Sequence, residues 1–261
     1  GVVGSDVTGV GTGRFGVGST QYGDDTAIFA YGYTTGVVSI SNLVTNVGVV
    51  GSDVSGVGST NANRNACGYG EDKGIFVYGY ISSPTAVTNL VSNVGVVSTD
   101  VTGVGTARQA PAACEYGGDK GIFGFGYPSY LSMTNLVSNA GVVATDVTGV
   151  GTVRNYLAAC SYGEDKGIFG YGVDYSGNLS MSNLVSNAGV VATDVTGVGT
   201  ARRSLGACEY GKDKAIFGYG VGVVSGVLEL ETNLVSNVGV IGSDVSGVGT
   251  GRYTLAACSY N

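Results

Sequence analysis

Short apolar stretches recur along the whole chain, and each is closed by glycine, asparagine or aspartate. The fourth copy of the pattern contains four such segments, here called a, b, c and d: Leu157–Tyr162, Lys166–Tyr171, Leu179–Ser186 and Val190–Val195. Gly163–Asp165 forms the a-b turn and Asn187–Gly189 the c-d turn. Extended segments of this length between turn residues are typical of β-strands. Because no apolar period of 3.6 residues persists for three turns, the pattern predicts an all-β protein without helices.

Three sequence blocks repeat in a fixed order. The block Asp-Val-(Thr/Ser)-Gly-Val-Gly starts at Asp6, Asp53, Asp100, Asp146, Asp194 and Asp244, with spacings of 47, 47, 46, 48 and 50 residues. The block Tyr-Gly-x-Asp-(Lys/Thr)-(Gly/Ala)-Ile-Phe starts at Tyr22, Tyr69, Tyr116, Tyr162 and Tyr210. The block Asn-Leu-Val-(Ser/Thr)-Asn starts at Asn42, Asn89, Asn135, Asn183 and Asn233. Such periodicity indicates one domain built from tandem units of about 47 residues.

The repeat count leaves one half-unit over. The units run approximately over 1–23 (a half unit), 24–70, 71–117, 118–163, 164–211 and 212–261. The d-a half occurs six times, from Val2–Tyr22 to Val240–Tyr260, but the b-c half occurs only five times. Four strands in a unit of this size are typical of a β-propeller blade, whose faces are buried by neighbouring blades. We predict a five-bladed propeller that uses the surplus half at closure or in assembly. Six blades with one incomplete, and a linear β-solenoid, are the alternatives.

Individual positions of the unit match a known repeat family. The matching positions in the fourth copy are Arg154, Ala158, Ala159, Ile168, Phe169, Tyr171, Gly172 and Asp194. They follow the order of an arginine, a small-residue strand, an aromatic strand ending in glycine, and an Asp-containing strand. The unit therefore resembles a kelch repeat, although a Gly-Tyr-Gly or Gly-Phe-Gly motif replaces the glycine doublet and tryptophan is absent. This resemblance implies a β-propeller over essentially the whole chain.

The amino-acid motifs of the repeated blocks indicate a biological setting. Gly-Val-Gly-Thr-Ala-Arg and Asp-Lys-Gly-Ile-Phe-Gly-Tyr-Gly are similar to repeats of predicted tail or virion surface proteins of environmental phages. That resemblance implies receptor attachment at an extracellular or virion-surface location, with self-assembly or other virion proteins as further partners. The chain begins at Gly1 without methionine, and we expect any targeting signal to lie upstream.

Composition and charge exclude several classes of function. The chain carries 12 basic and 19 acidic residues, a net charge of -7 that repels a nucleic-acid backbone. No apolar run approaches the roughly 20 residues of a membrane helix, so membrane insertion is not expected. The absence of histidine rules out Ser-His-Asp and Cys-His catalysis and removes a main nitrogen ligand of metals. We therefore expect a protein that is not an enzyme and that uses no cofactor or metal.

Several repeated residue types have a structural interpretation. We expect the cysteines to pack as small buried side chains rather than to form disulfides or a metal site: Cys67, Cys114, Cys160, Cys208 and Cys258. The a-b turns carry acidic-basic pairs, in which Asp accepts backbone N–H bonds and Lys lies at a solvated rim: Asp72/Lys73, Asp119/Lys120, Asp165/Lys166 and Asp213/Lys214. The aspartate of segment d is expected to form a local Asx turn rather than a calcium site.

The b-c and d-a connections vary in sequence and length, whereas the a-b and c-d turns barely change between copies. In an up-and-down blade the two variable connections emerge on the same face. Variable loops on a constant scaffold are where binding specificity is usually placed, with neutral variation as the alternative interpretation. The predicted ligand-binding residues are the tyrosines of these loops: Tyr33, Tyr80, Tyr127, Tyr130, Tyr156, Tyr175 and Tyr253. They suit a glycan or protein receptor. A structural subunit of a sheath, fibre or capsid is the alternative function.

An arginine precedes the variable d-a loop in five of the six copies: Arg14, Arg108, Arg154, Arg202 and Arg252. The second copy has Asn61 at that step and carries Arg64 later. We expect each arginine to bond backbone carbonyls or a carboxylate inside the protein. A ring of arginines that binds an anionic ligand is the alternative.

Overall fold

The computed structural model describes residues 3–222 and 227–259, and this part of the chain contains strands, bridges and turns without any helix. The all-β prediction is confirmed for these residues. None of them belongs to a helix that could cross a membrane. Residues 223–226, which belong to the fifth variable b-c connection, lie outside the described residues, as do Val2 and Tyr260 at the limits of the first and last half-units.

Five antiparallel three-stranded sheets follow one another along the chain, each in the order a-b-c. Their strands are β1 Gly18–Tyr22, β2 Thr26–Ala30 and β3 Ser41–Val44; β4 Asn65–Tyr69, β5 Lys73–Tyr80 and β6 Pro84–Val91; β7 Ala112–Tyr116, β8 Lys120–Gly124 and β9 Thr134–Val137; β10 Ala158–Tyr162, β11 Lys166–Gly170 and β14 Ser182–Val185; β15 Gly206–Tyr210, β16 Lys214–Gly218 and β17 Thr232–Val235. A separate two-stranded sheet, β12 Val173–Asp174 with β13 Gly177–Asn178, lies in the fourth b-c connection.

The a-b hairpin forms where its turn chemistry predicts it. In the fourth sheet, Gly163 and Glu164 both adopt left-handed backbone conformations, with φ of 57° and 69°. Consecutive left-handed residues give a tight turn whose twist matches that of the flanking strands. The resulting register places Cys160 opposite Ile168. Strand c is shorter than predicted, at Ser182–Val185 rather than Leu179–Ser186.

Segment d does not form the predicted strand. In the fourth unit it makes only two isolated bridges to strand c, Val185 with Val191 and Ser182 with Val195. Four residue steps on segment d therefore oppose three on strand c. An extra residue on one side of an antiparallel pair interrupts its ladder of hydrogen bonds. The prediction of a regular fourth strand is wrong for this reason.

The a segments surround a narrow channel. Successive a strands are neighbours from β1 through β4, β7 and β10 to β15. The sixth a segment, 255–259, also lines the channel. It contacts the first strand, where Ser19 Oγ donates to the carbonyl of Ala257 at 3.0 Å. A side chain added at Gly206 of the fifth strand would also meet Leu255. We call the part of the protein built outward from each a segment a sector, numbered one to six.

The two ends of the chain meet in the sixth sector. The Thr250 backbone N–H and Oγ donate to Asp6 Oδ2 at 3.0 and 2.7 Å. Arg252 forms an ion pair with Asp6 at 3.0 Å. The first d segment and the last a segment therefore lie together between the fifth and first sheets.

The hydrophobic core lies between successive sheets. Ile168 and Tyr171 of the fourth sector pack with Phe217 of the fifth, and all three side chains are fully buried. The rings of Tyr171 and Phe217 meet edge to face with their centroids 5.2 Å apart. Such aromatic pairs add about 0.5–1.5 kcal/mol beyond their buried area. Because each sheet needs its neighbour to cover one face, stability depends on a continuous succession of sectors.

Candidate functional site

Four of the five arginines of the predicted ring lie inside the protein, where its own polar groups bind them. In the fourth sector, Arg154 Nη2 donates to Asn183 Oδ1 at 2.5 Å, and Arg154 Nη1 lies 3.6 Å from Asp194 Oδ1. The guanidinium also stacks over the Phe125 ring at 4.5 Å. Burial lowers the pKa of Arg154 to about 10. A charge so fully enclosed and paired is a packing element rather than a site open to an anion.

In five of the six sectors the arginine donates to an asparagine of strand c. The arginines bound to a c-strand asparagine are Arg14, Arg64, Arg108, Arg154 and Arg202. In the second sector Asn61 stands at the arginine's position in the repeat, but Arg64 makes the bond to the c-strand asparagine. Arg252 differs, because 43% of its side chain is exposed and it donates to the Tyr219 hydroxyl at 3.1 Å.

The aspartate of segment d bonds across a long stretch of sequence. Asp194 Oδ2 accepts from the backbone N–H of Thr152 at 2.9 Å and from its Oγ at 2.7 Å. Asn183 Nδ2 donates to Asp194 Oδ1 at 2.9 Å. The expected local Asx turn is wrong, since the carboxylate binds a threonine 42 residues earlier. Asp194 thus links segment d by hydrogen bonds to the d-a loop that precedes strand a of the same sector.

The acidic-basic pairs of the a-b turns connect two turns. Asp119 Oδ1 pairs with Lys120 Nζ at 2.5 Å, and Asp119 Oδ2 accepts from Asn139 Nδ2 at 3.0 Å. The hydrogen bond from Lys120 lowers the pKa of Asp119, and the one from Asn139 adds to that effect. Asn139 belongs to the c-d turn, so this constant face of the protein is cross-linked by side chains that the sequence pattern did not pair.

The cysteines offer no reactive thiol or metal site in the part of the chain that the structure describes. All five are free, and Cys114 is buried. Desolvation raises the pKa of the Cys114 thiol to about 12, which keeps it protonated and unreactive. The Cys114 Sγ lies 2.6 Å from the position that a Cβ atom would take at Gly167. No group of three potential metal-ligating side chains occurs among the described residues.

The central channel holds two carboxyl groups. It has a volume of about 60 Å³ and is lined by all six a segments. Glu115 Oε1 accepts from Gln21 Nε2 at 3.2 Å. Burial raises the pKa of Glu115 to about 7, and the charge of Glu209 raises it further. Burial likewise raises the pKa of Glu209 to about 7. The channel is too narrow for a ligand larger than a few waters.

The raised pKa of Glu115 predicts that stability falls with rising pH. The folded protein holds this proton more tightly than the unfolded chain, so its contribution is complete below the unfolded pKa of about 4.5 and is lost as pH rises through about 7. We expect Glu115→Gln to raise the free energy of unfolding by about 1–2 kcal/mol at pH 8, after allowance for water in the channel, and to change little at pH 5. Urea denaturation at both pH values measures this.

Glu164→Gln in an exposed turn is the control for the loss of one negative charge. We expect it to leave the pH dependence unchanged. If Glu115→Gln and Glu164→Gln behaved alike at pH 8, Glu115 would not be a source of the pH dependence.

A ring of left-handed residues surrounds the channel mouth on the face that carries the variable loops. One comes from each sector: Gly16, Asn63, Ala110, Tyr156, Ser204 and Thr254. Several are linked by backbone bonds to the next sector, for example from Asn63 N–H to Gly16 O at 2.9 Å and from Ser204 N–H to Tyr156 O at 2.8 Å. These bonds fix the positions at which the variable loops leave the scaffold.

Four of the seven predicted binding tyrosines lie together, and we call them the tyrosine cluster: Tyr127, Tyr130, Tyr156 and Tyr175. The rings of Tyr130 and Tyr175 meet edge to face at 4.4 Å. Burial raises the pKa of Tyr156, and the nearby Tyr127 and Tyr130 phenols raise it further. Tyr175 is 80% exposed and Tyr127 is 43% exposed. The cluster therefore presents aromatic surface to solvent where the third and fourth sectors adjoin.

A basic side chain borders the tyrosine cluster. Arg203 lies close enough to Tyr156 to oppose the rise in its pKa. Its Nη1 donates to Asn178 Oδ1 at 2.9 Å, and the Asn178 amide donates to the carbonyls of Val221 and Gly222. Arg203 was not among the site residues predicted from the sequence. The signal was the Arg202-Arg203 doublet, since a second arginine at a variable loop position is not needed for the buried network.

The other three predicted tyrosines lie apart from the cluster. Tyr33 packs against Phe15 with ring centroids 5.3 Å apart. Tyr80 ends strand β5 and pairs with Pro84 in the second sheet. Tyr253 is 54% exposed in the sixth sector. The structure therefore divides the predicted set into one cluster and three separate side chains.

No protein-family model matches the chain, and no curated protein matches it either. The geometry of the variable face is accordingly the basis for a functional conclusion.

Proposed function

We propose that the protein is a non-catalytic attachment protein that binds a glycan receptor through the tyrosine cluster on its variable face. The fold we propose for it is a β-propeller with six blade positions, of which the sixth is incomplete. Such a protein would act at an extracellular or virion surface, as the repeat resemblance implies. The observation that carries the binding proposal is the exposed Tyr175 ring, which packs edge to face on the partly exposed Tyr130 beside Tyr127 and Tyr156.

The contacts around the channel support the propeller arrangement. Six a segments line one channel, and the last contacts the first. Asp6 binds Thr250 in the way that Asp194 binds Thr152. These contacts favour six positions with one incomplete over the five closed blades expected from the repeat count. A linear solenoid would not bring Asp6 and Thr250 together.

The size of the tyrosine cluster favours a sugar over a protein surface. The exposed Tyr127 and Tyr175 and the partly exposed Tyr130 and Tyr156 together offer roughly 300 Å² of aromatic surface. A stable protein interface needs about 800 Å² on each partner. A few sugar rings fit the smaller area, because their apolar faces stack on aromatic rings while their hydroxyls bond neighbouring polar groups. Asp174 and Arg203 supply an acceptor and donors at the edge of the cluster.

Alanine substitution in the cluster tests this proposal. We expect a glycan array to identify ligands for the unmodified protein, and calorimetric titration to show that Tyr175→Ala weakens binding about tenfold or more. Tyr130→Ala is expected to act similarly, because Tyr130 holds the Tyr175 ring edge to face.

Tyr253→Ala is the matched control, since Tyr253 is an exposed tyrosine in a variable loop away from the cluster. We expect its affinity to stay near that of the unmodified protein. An array without bound glycans, or an equal loss of affinity with Tyr253→Ala, would contradict the assignment of the site. Binding of a protein receptor through the same side chains would replace the proposed ligand class.

A further inference from the structure

The c-d turns of the constant face repeat almost unchanged, and most of their residues have a structural role. In the fourth sector the Ser186 backbone N–H donates to the carbonyl of Val190 at 3.0 Å, and the Ser186 hydroxyl accepts from the Val190 N–H at 3.2 Å. Asn187 Nδ2 donates to the aspartate of the a-b turn at 3.0 Å. Gly189 has a φ of 74° and lies where a side chain would meet Tyr116 of the third sector. These contacts explain why serine, asparagine and glycine recur in the turn.

The valine that follows this glycine has no such role for its side chain. It occurs in all five c-d turns and is between 59% and 64% exposed: Val49, Val96, Val142, Val190 and Val240. A second valine precedes the glycine in three turns and is between 68% and 77% exposed: Val47, Val94 and Val238. We call these eight side chains the valine ring. Turns favour glycine, asparagine, aspartate and serine, so the turn itself does not account for valine there.

The valine ring has the area of one side of a stable protein interface. Its eight residues together expose roughly 800 Å² of largely apolar surface, about what each partner contributes to a stable complex. The largest exposed apolar patch of a soluble monomer is usually about 300–600 Å². The constant face therefore meets the size requirement that the tyrosine cluster of the variable face does not.

Most aspartates of the constant face already have a cation within the same molecule. Four a-b turns pair an aspartate with the next lysine at 2.5–2.7 Å, as Asp165 does with Lys166. Such pairs can lie in an interface without leaving an unpaired buried charge. The five a-b turns carry eight acidic and five basic residues, so two such faces repel each other weakly. Salt screens this repulsion and is therefore expected to strengthen a contact between like faces.

We propose that the valine ring is the contact between two copies of this chain, paired face to face across a two-fold axis. Five nearly identical turns around one channel are matched in spacing by a surface with the same repeat, and a second copy carries that surface. A two-fold contact uses the same patch on both partners, so the assembly closes at two copies. The variable faces then point in opposite directions, which gives the dimer two separated tyrosine clusters. The pairing does not depend on glycan binding.

Substitution in the valine ring tests the pairing. We expect sedimentation equilibrium of the full chain to give twice the mass of one copy, and amide exchange in the c-d turns to slow as the protein concentration rises. The Val142→Asp/Val190→Asp/Val240→Asp variant places three charges in the contact and should weaken dimerisation about a hundredfold or more. Because these side chains are exposed in the single copy, the variant should fold normally, which urea denaturation checks.

Val147→Asp/Val195→Asp/Val245→Asp is the matched control, since it adds the same three charges to segment d of the same three sectors. These valines are 45–49% exposed and lie outside the valine ring, so we expect this variant to stay dimeric. A monomeric unmodified chain at concentrations up to about 100 µM, or equal dissociation of the two variants, would overturn the proposal. Open-ended assembly beyond two copies would also overturn it. Glycan affinity per site should be unchanged in the ring variant, which separates the pairing from the tyrosine cluster.

Discussion

Replacing Arg154 by alanine is expected to lower the free energy of unfolding by about 3–5 kcal/mol. The side chain is fully buried, and its loss leaves the Asn183 Oδ1 without its donor, Asp194 without its ion-pair partner and Phe125 without its stacked cation. A buried polar group that has lost its partner costs much more than an exposed one. The midpoint of urea denaturation, with its slope, measures the change.

Arg252→Ala is the matched control for the buried network. The residue holds the same repeat position, but 43% of its side chain is exposed and no asparagine within 3–222 or 227–259 binds it. We expect a loss below about 1 kcal/mol, the usual value of an exposed ion pair. If the two substitutions destabilised the protein equally, the sixth sector would be as complete in solution as the fourth.

Phe169→Ala is expected to destabilise the protein by about 3–5 kcal/mol. Its ring is fully buried and packs against Phe125 with centroids 5.2 Å apart. Truncation leaves a cavity between two sheets that cannot close, because the backbone of each sheet is fixed by its own hydrogen bonds. Thermal or urea unfolding measures the loss.

Phe29→Ala provides the comparison, since Phe29 holds the same position next to the incomplete sector and is only partly buried. We expect it to cost about 1–2 kcal/mol. A Phe29→Ala variant as unstable as Phe169→Ala would show that the first sheet is already covered on that side.

Strands a and b were predictable because their signals are local. The left-handed turn at Gly163 and Glu164 and the β-branched and aromatic residues of strand β11 lie within a few residues of one another. The β12–β13 hairpin was not predicted, although it also has a local sequence signal. Asp174 accepts from the Ser176 backbone N–H at 2.7 Å, an Asx turn within Asp-Tyr-Ser-Gly.

Segment d and its aspartate could not be predicted in the same way. The bridges at Val191 and Val195 depend on a mismatch in residue count with strand c. The partner of Asp194 is Thr152, which only the packing of segment d against the d-a loop brings close. The repetition of this aspartate in every unit correctly indicated a structural role. Its hydrogen bond to Thr152, however, joins segments that are distant in the sequence.

The candidate site, too, could be predicted from the sequence only in part. Tyrosines in variable loops were identified from the sequence, but nothing there distinguished Tyr175 from Tyr253. Tyr130 and Tyr175 meet because adjacent sectors place their b-c loops side by side. The repeat count also left five or six positions open, because the choice depends on whether Asp6 reaches Thr250.

Disulfide trapping of the two chain ends tests the closed ring most directly. In the Asp6→Cys/Thr250→Cys variant, the exchanged side chains are hydrogen-bonded neighbours, and we expect an intramolecular disulfide that peptide mapping by mass spectrometry locates in the monomer. Asp6→Cys/Thr152→Cys is the control, since Thr152 holds the same repeat position in the fourth sector and binds Asp194. A closed ring predicts a disulfide in the first variant alone. Disulfides in neither monomer, or equally in both, would contradict it.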